Sequence, residues 1–262
     1  MITFNLYYDC IMKIYFRQAQ MLKEWMKKMK YAMSDLHGRF DKYTIMLNKI
    51  NFTEEDELFL LGDVCDRGPE SAQIFLDMMN RKNVYPIMGN HEKMLLEALP
   101  NSFGFLQKDY GYYATLDFDI WSACGGGRTC ASLIEAGVDK VVDIYNYILS
   151  FPFYRVVDVN GRNFLLVHAG LDNYERTKRL GDYLPEELVW YGFDHNGTYY
   201  PLLYDKIIVG HTPTFLLNHD KPAKIYHGKG GNVIDIDCGA VFEEDGGRLA
   251  CLCLDTMEEF YV

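Results

Sequence analysis

The chain has no surplus of basic residues: 26 lysines and arginines stand against 37 aspartates and glutamates, for a formal net charge of -11. Phosphate backbones are gripped by excess positive charge, so a nucleic-acid polymer is excluded as a general partner. An acidic protein that handles phosphate must do so through a metal. There is also no apolar run long enough to cross a bilayer, and no secretory leader with a clean apolar core and a small-residue cleavage site. Cysteine is too sparse and odd in number, 7 in 262 residues, to build a disulfide framework, which points to reduced thiols and the cytoplasm. Internal repeats, low-complexity tracts and long Pro/Gly/Ser linkers are missing as well, which favours one domain.

What is present suits a large buried core: 49% of residues are hydrophobic and 24% charged. Residues 1–28 stand apart as a leader. Its second half is locally basic and fits an amphipathic helix with Met21, Trp25 and Met29 on one side; equally, Met26 and Met29 sit directly before the first strand, so the leader reads as an addition without a role. From about residue 29 short apolar runs alternate with longer mixed segments, the pattern of an α/β fold in which a sheet is flanked by helices. Strands are expected at Tyr31 to Met33, Leu58 to Leu61, Val84 to Met88, Phe164 to Val167, Ile207 to Val209, Val233 to Ile236 and Leu249 to Leu254. A helical insertion is expected near residues 92–150, and residues 172–204 read as loops.

The polar residues fall where the strands end. SDLHG, with Asp35 and His37, follows the first run; GDVCDRGP, with Asp63, Asp66 and Arg67, follows ELFLL; GNHE, with Asn90 and His91, follows VYPIM; then come HAG with His168 and GHTP with His211. In an α/β sheet the carboxyl ends of strands line up along one edge, where ligands bind. Asp35 and His37 point the same way if their backbone is extended, whereas as a helix cap the Asp would leave the His merely exposed. Asp, Asn and His at several strand ends in register are the metal-ligand types, and Gly62, Gly68, Gly89, Gly170 and Gly210 beside them permit sharp turns.

Asp35, His37 and Asp63 would hold one divalent ion, and Asn90, His168 and His211 a second, with Asp63 bridging. Mixed oxygen and imidazole ligation suits Mn, Fe or Zn better than Ca. Two ions roughly 3.5 to 4 Å apart clamp a phosphoryl group and lower the pKa of a shared water until it attacks in line. His91 neighbours Asn90 but faces away from it on an extended segment, which frees it to protonate the leaving oxygen, with Asp66 orienting it. Arg67, always charged and fork-shaped, would hold phosphate oxygens.

Together SDLHG, GDVCDRG, GNHE, VHAG and VGHT closely resemble the phosphoprotein phosphatase branch of the calcineurin-like metallophosphoesterases, particularly its small bacterial members, from about Lys30 to the C-terminus. The resemblance implies two mixed β-sheets flanked by helices and a dinuclear site, with manganese the expected metal. It implies Asp35, His37 and Asp63 on the first ion, Asp63, Asn90, His168 and His211 on the second, His91 as general acid, Asp66 as its partner and Arg67 on phosphate. The implied substrate is a phosphorylated protein or a small phosphoester, and the leading reading is a serine/threonine protein phosphatase. Relatives with nearly the same motifs hydrolyse diadenosine tetraphosphate, which is the alternative; a weakly active metal-binding regulatory module is another.

Three departures stand out. Ser34 replaces the usual Gly before Asp35, Cys124 stands where Asn is usual in CGGGRT, and Gly192 in LVWYGFD occupies the position of a second phosphate-binding Arg. Arg128 is a candidate replacement for that arginine. Other polar residues have plainer readings: Cys251 and Cys253 as core thiols, His195, His219 and His227 as exposed loop residues, and Asp235 and Asp237 as support for the site. The aromatics Tyr183, Trp190, Tyr191, Phe193, Tyr199 and Tyr200 either wall a substrate groove, stack a nucleobase, or simply pack a loop.

Overall fold

The computed structural model describes residues 28–106, 116–192 and 204–262. Residues 1–27, and with them nearly all of the leader, lie outside the described residues, as do Phe193, His195, Tyr199 and Tyr200. Along the chain come β1 (Lys30–Met33), α1 (Phe40–Lys49), β2 (Glu57–Leu60), α2 (Ser71–Asn80) and β3 (Val84–Pro86), then a helical stretch of α3 (Asn90–Leu106), α4 (Leu116–Trp121), α5 (Gly127–Ala136) and α6 (Val138–Ile148). After it come β4 (Tyr154–Val159), β5 (Arg162–Val167), α7 (Pro185–Val189), β6 (Lys206–Val209), α8 (Phe215–Asn218), β7 (Tyr226–His227), β8 (Val233–Asp235), β9 (Ala250–Cys253) and β10 (Glu259–Tyr261).

The strands form two five-stranded mixed sheets, in the orders β10-β9-β1-β2-β3 and β4-β5-β6-β8-β7. Each has three parallel strands, β1-β2-β3 running to one edge of the first sheet and β5-β6-β8 at the centre of the second, with antiparallel strands completing it. Successive side chains of a strand point to opposite faces, and the apolar runs are sorted accordingly. From β2, Phe59 faces the space between the sheets with Phe164, Leu166, Ile208 and Ile234. Leu58 and Leu60 face the other way, onto Tyr43 and Met46 of α1 and Ile74, Phe75 and Met78 of α2. In the second sheet Leu165 and Val167 point outward to Tyr183, Leu188 and Val189. Cys251 and Cys253 are buried in the helix-side core, with Leu252 between them turned to the sheet interface.

All seven expected strands exist, but β4, β7 and β10 were not expected. Each lies at the rim of its sheet. These three pair on one side only, stay half exposed and carry no continuous apolar run; β4 reads YRVVDV and is only intermittently buried. The stretch read as loops, residues 172–204, contains the short helix α7, opened by Pro185 at its first position and by Glu187, whose carboxylate accepts from the Leu184 N–H at 2.8 Å. The stretch near 92–150 is helical wherever it is described, and a π-helical turn at Ser122–Gly126 breaks it at Gly125, where φ is 108°. Its buried face, Trp121, Leu133, Val141, Ile144 and Ile148, packs on the outer side of the first sheet.

Candidate active site

The parallel ladder continues past the ends of β1 and β2 into the loops. Asp35 N–H donates to Gly62 O at 3.1 Å, His37 N–H to Asp63 O at 2.9 Å and Gly38 N–H to Val64 O at 2.8 Å. The second sheet does the same, with Gly210 N–H donating to His168 O at 2.7 Å. Within these loops Asp35, His37, Asp63, Asp66, Arg67 and His211 all have left-handed backbone, with φ between 44° and 72°. Asp35 and His37 are therefore not extended, contrary to the sequence expectation; their side chains nevertheless converge, His37 Nε2 lying 3.9 Å from Asp35 Oδ1. Paired backbone compensates the strain of φ > 0, a cost typical of functional loops. Asp35 does not cap α1, whose N-cap is Arg39. Gly89 is required by close approach: a Cβ there would overlap Asp63 Oδ1 and lie 2.8 Å from Glu92 Oε2.

The histidines are fixed by their far nitrogens. His37 Nδ1–H donates to Cys65 O at 2.8 Å and His168 Nδ1–H to Leu61 O at 2.6 Å, so both Nε2 atoms face the cluster. His211 is braced by the backbone of Trp190 and turns Nδ1 inward. The Asn90 carboxamide stands 2.9 Å from His168 Nε2 and 3.0 Å from His211 Nδ1; with its oxygen inward it offers a ligand lone pair, and with its nitrogen inward it donates to both imidazoles and to Val189 O at 3.3 Å. Asp63 lies between two triads whose donor atoms all fall within 4.8 Å of one another, one with His37 and His91, the other with His168 and His211.

These residues fit divalent cations. Asp35 Oδ1 is buried without a hydrogen-bond partner, while Oδ2 already accepts from the His211 N–H at 3.0 Å and from the Ser34 hydroxyl. An orphaned carboxylate oxygen of this kind calls for a cation. Asp35, Asp63, Asp66 and Glu92 are all buried, a density of negative charge that nearby Arg67 alone does not balance. Burial lifts the Asp35 pKa to about 6, with the neighbouring Asp63 adding to the effect. Burial opposes charge on His168 too, but Asp63 outweighs it and lifts that pKa to about 10. His37 is driven well below the usual imidazole range and His211 to about 4, both chiefly by burial.

The acid pair adjoins this cluster. His91 Nδ1–H donates to Asp66 Oδ2 at 2.7 Å, and His91 Nε2 lies 3.8 Å from Asp63 Oδ2. Burial works against its charge, but Asp63 and Asp66 prevail and hold the pKa above the ordinary imidazole value. Asn90 and His91 open helix α3 and are not on an extended segment; they diverge because successive helical residues are turned by about 100°. Arg67 donates to His37 Nε2 at 2.6 Å, its other terminal nitrogen lies 3.0 Å from His91 Nε2, and its guanidinium stacks 5.6 Å from the Phe242 ring centroid.

Several residues of the site were missed in the sequence. Asp66 also accepts from Trp121 Nε1 at 2.9 and 3.0 Å and from Thr129 Oγ1 at 2.7 Å. Glu92, the last letter of GNHE, accepts from the backbone N–H groups of Val64 at 2.8 Å, Asp63 at 2.8 Å, Gly89 at 3.0 Å and Cys65 at 3.3 Å. Its motif position was the available signal; Trp121 and Thr129 offered none beyond nearness to the glycine loop. Arg128, in the first turn of α5, is exposed, and among the described residues no hydrogen bond ties it to the cluster. At Gly192 a Cβ would meet Thr212 Oγ1 at 3.2 Å and nothing else within 4 Å among the described residues. Asp235 and Asp237 are buried, bonding to the backbone N–H groups of Asp237 (3.0 Å) and Gly239 (2.8 Å). His227 pairs with Glu259 on the rim strands, and His219 ends α8, both away from the cluster. Tyr183 is core; Trp190 and Tyr191 are exposed beside the His211 loop.

The family model for calcineurin-like phosphoesterases matches residues 31–248. Serine/threonine-protein phosphatase 2 of Escherichia coli is 31% identical over 162 residues, 61% of this chain and 66% of that one. A symmetrical bis(5'-nucleosyl)-tetraphosphatase of Chromobacterium violaceum is 29% identical over 143 residues, 54% of this chain but only 43% of the relative, so the match spans less than half that enzyme's length. Among solved structures, a protein serine/threonine phosphatase from Saccharomyces cerevisiae superposes with a TM-score of 0.59 at 15% identity, covering 87% of this chain and 73% of that one. A metallophosphoesterase from Sphaerobacter thermophilus gives 0.53 at 16%, covering 90% and 88%. At such identities the structures share the fold.

Proposed function

Since the chain belongs to the calcineurin-like phosphoesterase family, we propose that it is a metal-dependent phosphoester hydrolase, in the first instance a phosphomonoesterase of the serine/threonine protein phosphatase type. The observation that carries this reading is Asp63 shared by the donor groups His37–Asp63–His91 and Asp63–His168–His211, with Asp35 Oδ1 3.9 Å from His37 Nε2 and His91 tied through Nδ1 to Asp66. Asp35, His37 and Asp63 hold one divalent ion, and Asp63, Asn90, His168 and His211 another; manganese is the foremost candidate, and iron and zinc suit the same donors. Bound there, the ions supply charge neutralisation at the phosphoryl oxygens and activation of water. His91, held through Nδ1–H by Asp66, gives a proton from Nε2 to the leaving oxygen. Arg67 binds phosphate oxygens through the two nitrogens that now face His37 and His91. The free cysteines among the described residues suit a cytoplasmic protein, and no described helix is long and apolar enough to cross a membrane.

A second reading, hydrolysis of diadenosine tetraphosphate, is favoured by Trp190 and Tyr191, exposed next to the His211 loop where a nucleobase has a surface to stack on. Phosphate release from a phosphoserine or phosphothreonine peptide, run beside hydrolysis of diadenosine tetraphosphate with manganese and with chelator, separates the two. The first reading expects chelator-sensitive peptide turnover; nucleotide turnover alone selects the second, and silence on both with metal bound removes each.

A further inference from the structure

The carboxylate of Asp66 is held on every side. Oδ2 receives His91 Nδ1–H at 2.7 Å, Oδ1 receives the Thr129 hydroxyl at 2.7 Å, and the Trp121 indole N–H reaches both oxygens at 2.9 and 3.0 Å. Thr129 Oγ1 also accepts the Asp66 backbone N–H at 2.7 Å, which helps to keep Asp66 in its left-handed conformation, and it is linked to Ser71 Oγ at 3.0 Å. Asp66, Trp121 and Thr129 are fully buried, and the Trp121 ring rests on Gly126, where a Cβ would overlap it. The donors come from a part of the chain that carries none of the metal-ligand candidates. Trp121 ends α4 and Thr129 lies in the first turn of α5, on either side of the glycine loop whose Gly125 O accepts from Arg67 N at 3.2 Å.

A carboxylate that orients an imidazole does so only while its own rotation is prevented. Paired with His91 alone, Asp66 could swing about its side-chain torsions and carry the imidazole with it; two further donors from a buried indole and a threonine leave it one position. We infer that Trp121 and Thr129 are positioning residues for leaving-group protonation: touching neither substrate nor metal, they lock Asp66 and thereby aim His91. The inference rests on the proposed role of His91 as the acid. It makes α4 and α5, in the helical stretch between β3 and β4, part of the catalytic apparatus.

The test exploits the fact that an acid matters in proportion to how poor the leaving group is. Trp121→Phe removes the N–H and keeps a ring over Gly126; Thr129→Val removes the hydroxyl at constant volume, and Thr129→Ser restores it. With manganese, each deleting variant should lower kcat on phenyl phosphate roughly thirtyfold, a fraction of what general acid catalysis contributes. On 4-nitrophenyl phosphate, whose leaving group departs unaided, the loss should stay under about threefold, with KM and bound metal unchanged. Thr129→Ser should behave as wild type. An equal loss on both substrates, or none on either, overturns the inference. A second readout does not depend on turnover. In the metal-free protein the Nδ1 proton of His91, assigned by its disappearance in His91→Asn, should give a sharp downfield NMR signal in wild type and Thr129→Ser, and a broadened or missing one in Trp121→Phe and Thr129→Val. If that signal persists unchanged in both deleting variants, the positioning role falls even where the enzyme reading stands; if wild type hydrolyses neither ester, the enzyme reading and the catalytic role of Trp121 and Thr129 fall together, and a signal that responds as expected then leaves only their locking of Asp66 and His91.

Discussion

The two halves of the site are built differently. On the metal side, the ligand candidates sit in loops that prolong the parallel strands, and backbone carbonyls of Cys65 and Leu61 pin two of the imidazoles. On the acid side, Asp66 is pinned by side chains, Trp121 and Thr129, from helices more than fifty residues further along. A carbonyl is present whatever residue carries it, so the orientation of those two imidazoles does not depend on the side chains of Cys65 and Leu61. The acid side depends on two particular side chains, and its orientation is correspondingly easier to remove without unfolding the protein.

That contrast orders the expected effects of mutation. Asp63→Asn attacks the metal side at its shared member: loss of bound metal and a fall in turnover of roughly a thousandfold are expected, since metal clamping is worth several kcal/mol and each 1.4 kcal/mol is tenfold. Metal content by elemental analysis beside kcat checks it; full metal with wild-type kcat would remove Asp63 from its bridging role. His91→Asn attacks the acid side alone, and on a phosphoserine peptide kcat should fall about a hundredfold while metal content stays at the wild-type level. Concurrent metal loss would instead make His91 a ligand, in keeping with its place in a triad with His37 and Asp63.

Glu92→Gln probes the joint between the halves. A carboxamide keeps the shape but replaces one acceptor oxygen by a donor, so some of the N–H groups of Asp63, Val64, Cys65 and Gly89 lose their acceptor. A destabilisation of about 2 kcal/mol is expected, read as a lower melting temperature; an unchanged melt would mean that the loops hold without it. The smallest change is a gain. At Gly192 a Cβ meets, among the described residues, Thr212 Oγ1, and the backbone there is not left-handed; a second guanidinium from Gly192→Arg should raise kcat/KM on a phosphopeptide by about tenfold or less. No gain would show that residue 192 does not reach the phosphate.

Much of the metal side was legible in the chain because its signals are local. A strand is short and apolar, its end is marked by a turn, and a ligand candidate placed just beyond it has few directions to point. Asp35, His37, Asp63, Asn90, His168 and His211 were therefore picked out one motif at a time, and the structure brings them into one cluster. The local conformations were not legible: Asp35 and His37 converge through left-handed backbone, and Asn90 and His91 diverge through the first turn of a helix. Rim strands β4, β7 and β10 escaped notice because half-exposed strands carry mixed side chains.

The sequence by itself determined the strand cores, the order of the polar strand ends and the donor types, because these follow from residue chemistry and from periodicities of two and 3.6. Only the tertiary structure decided which oxygen of Asp35 is left without a partner, which nitrogen each histidine turns inward, and that Trp121 and Thr129 close around Asp66. Those outcomes depend on contacts between residues far apart in the chain, and nothing in the local pattern records where a hydrogen bond from a distant helix will end.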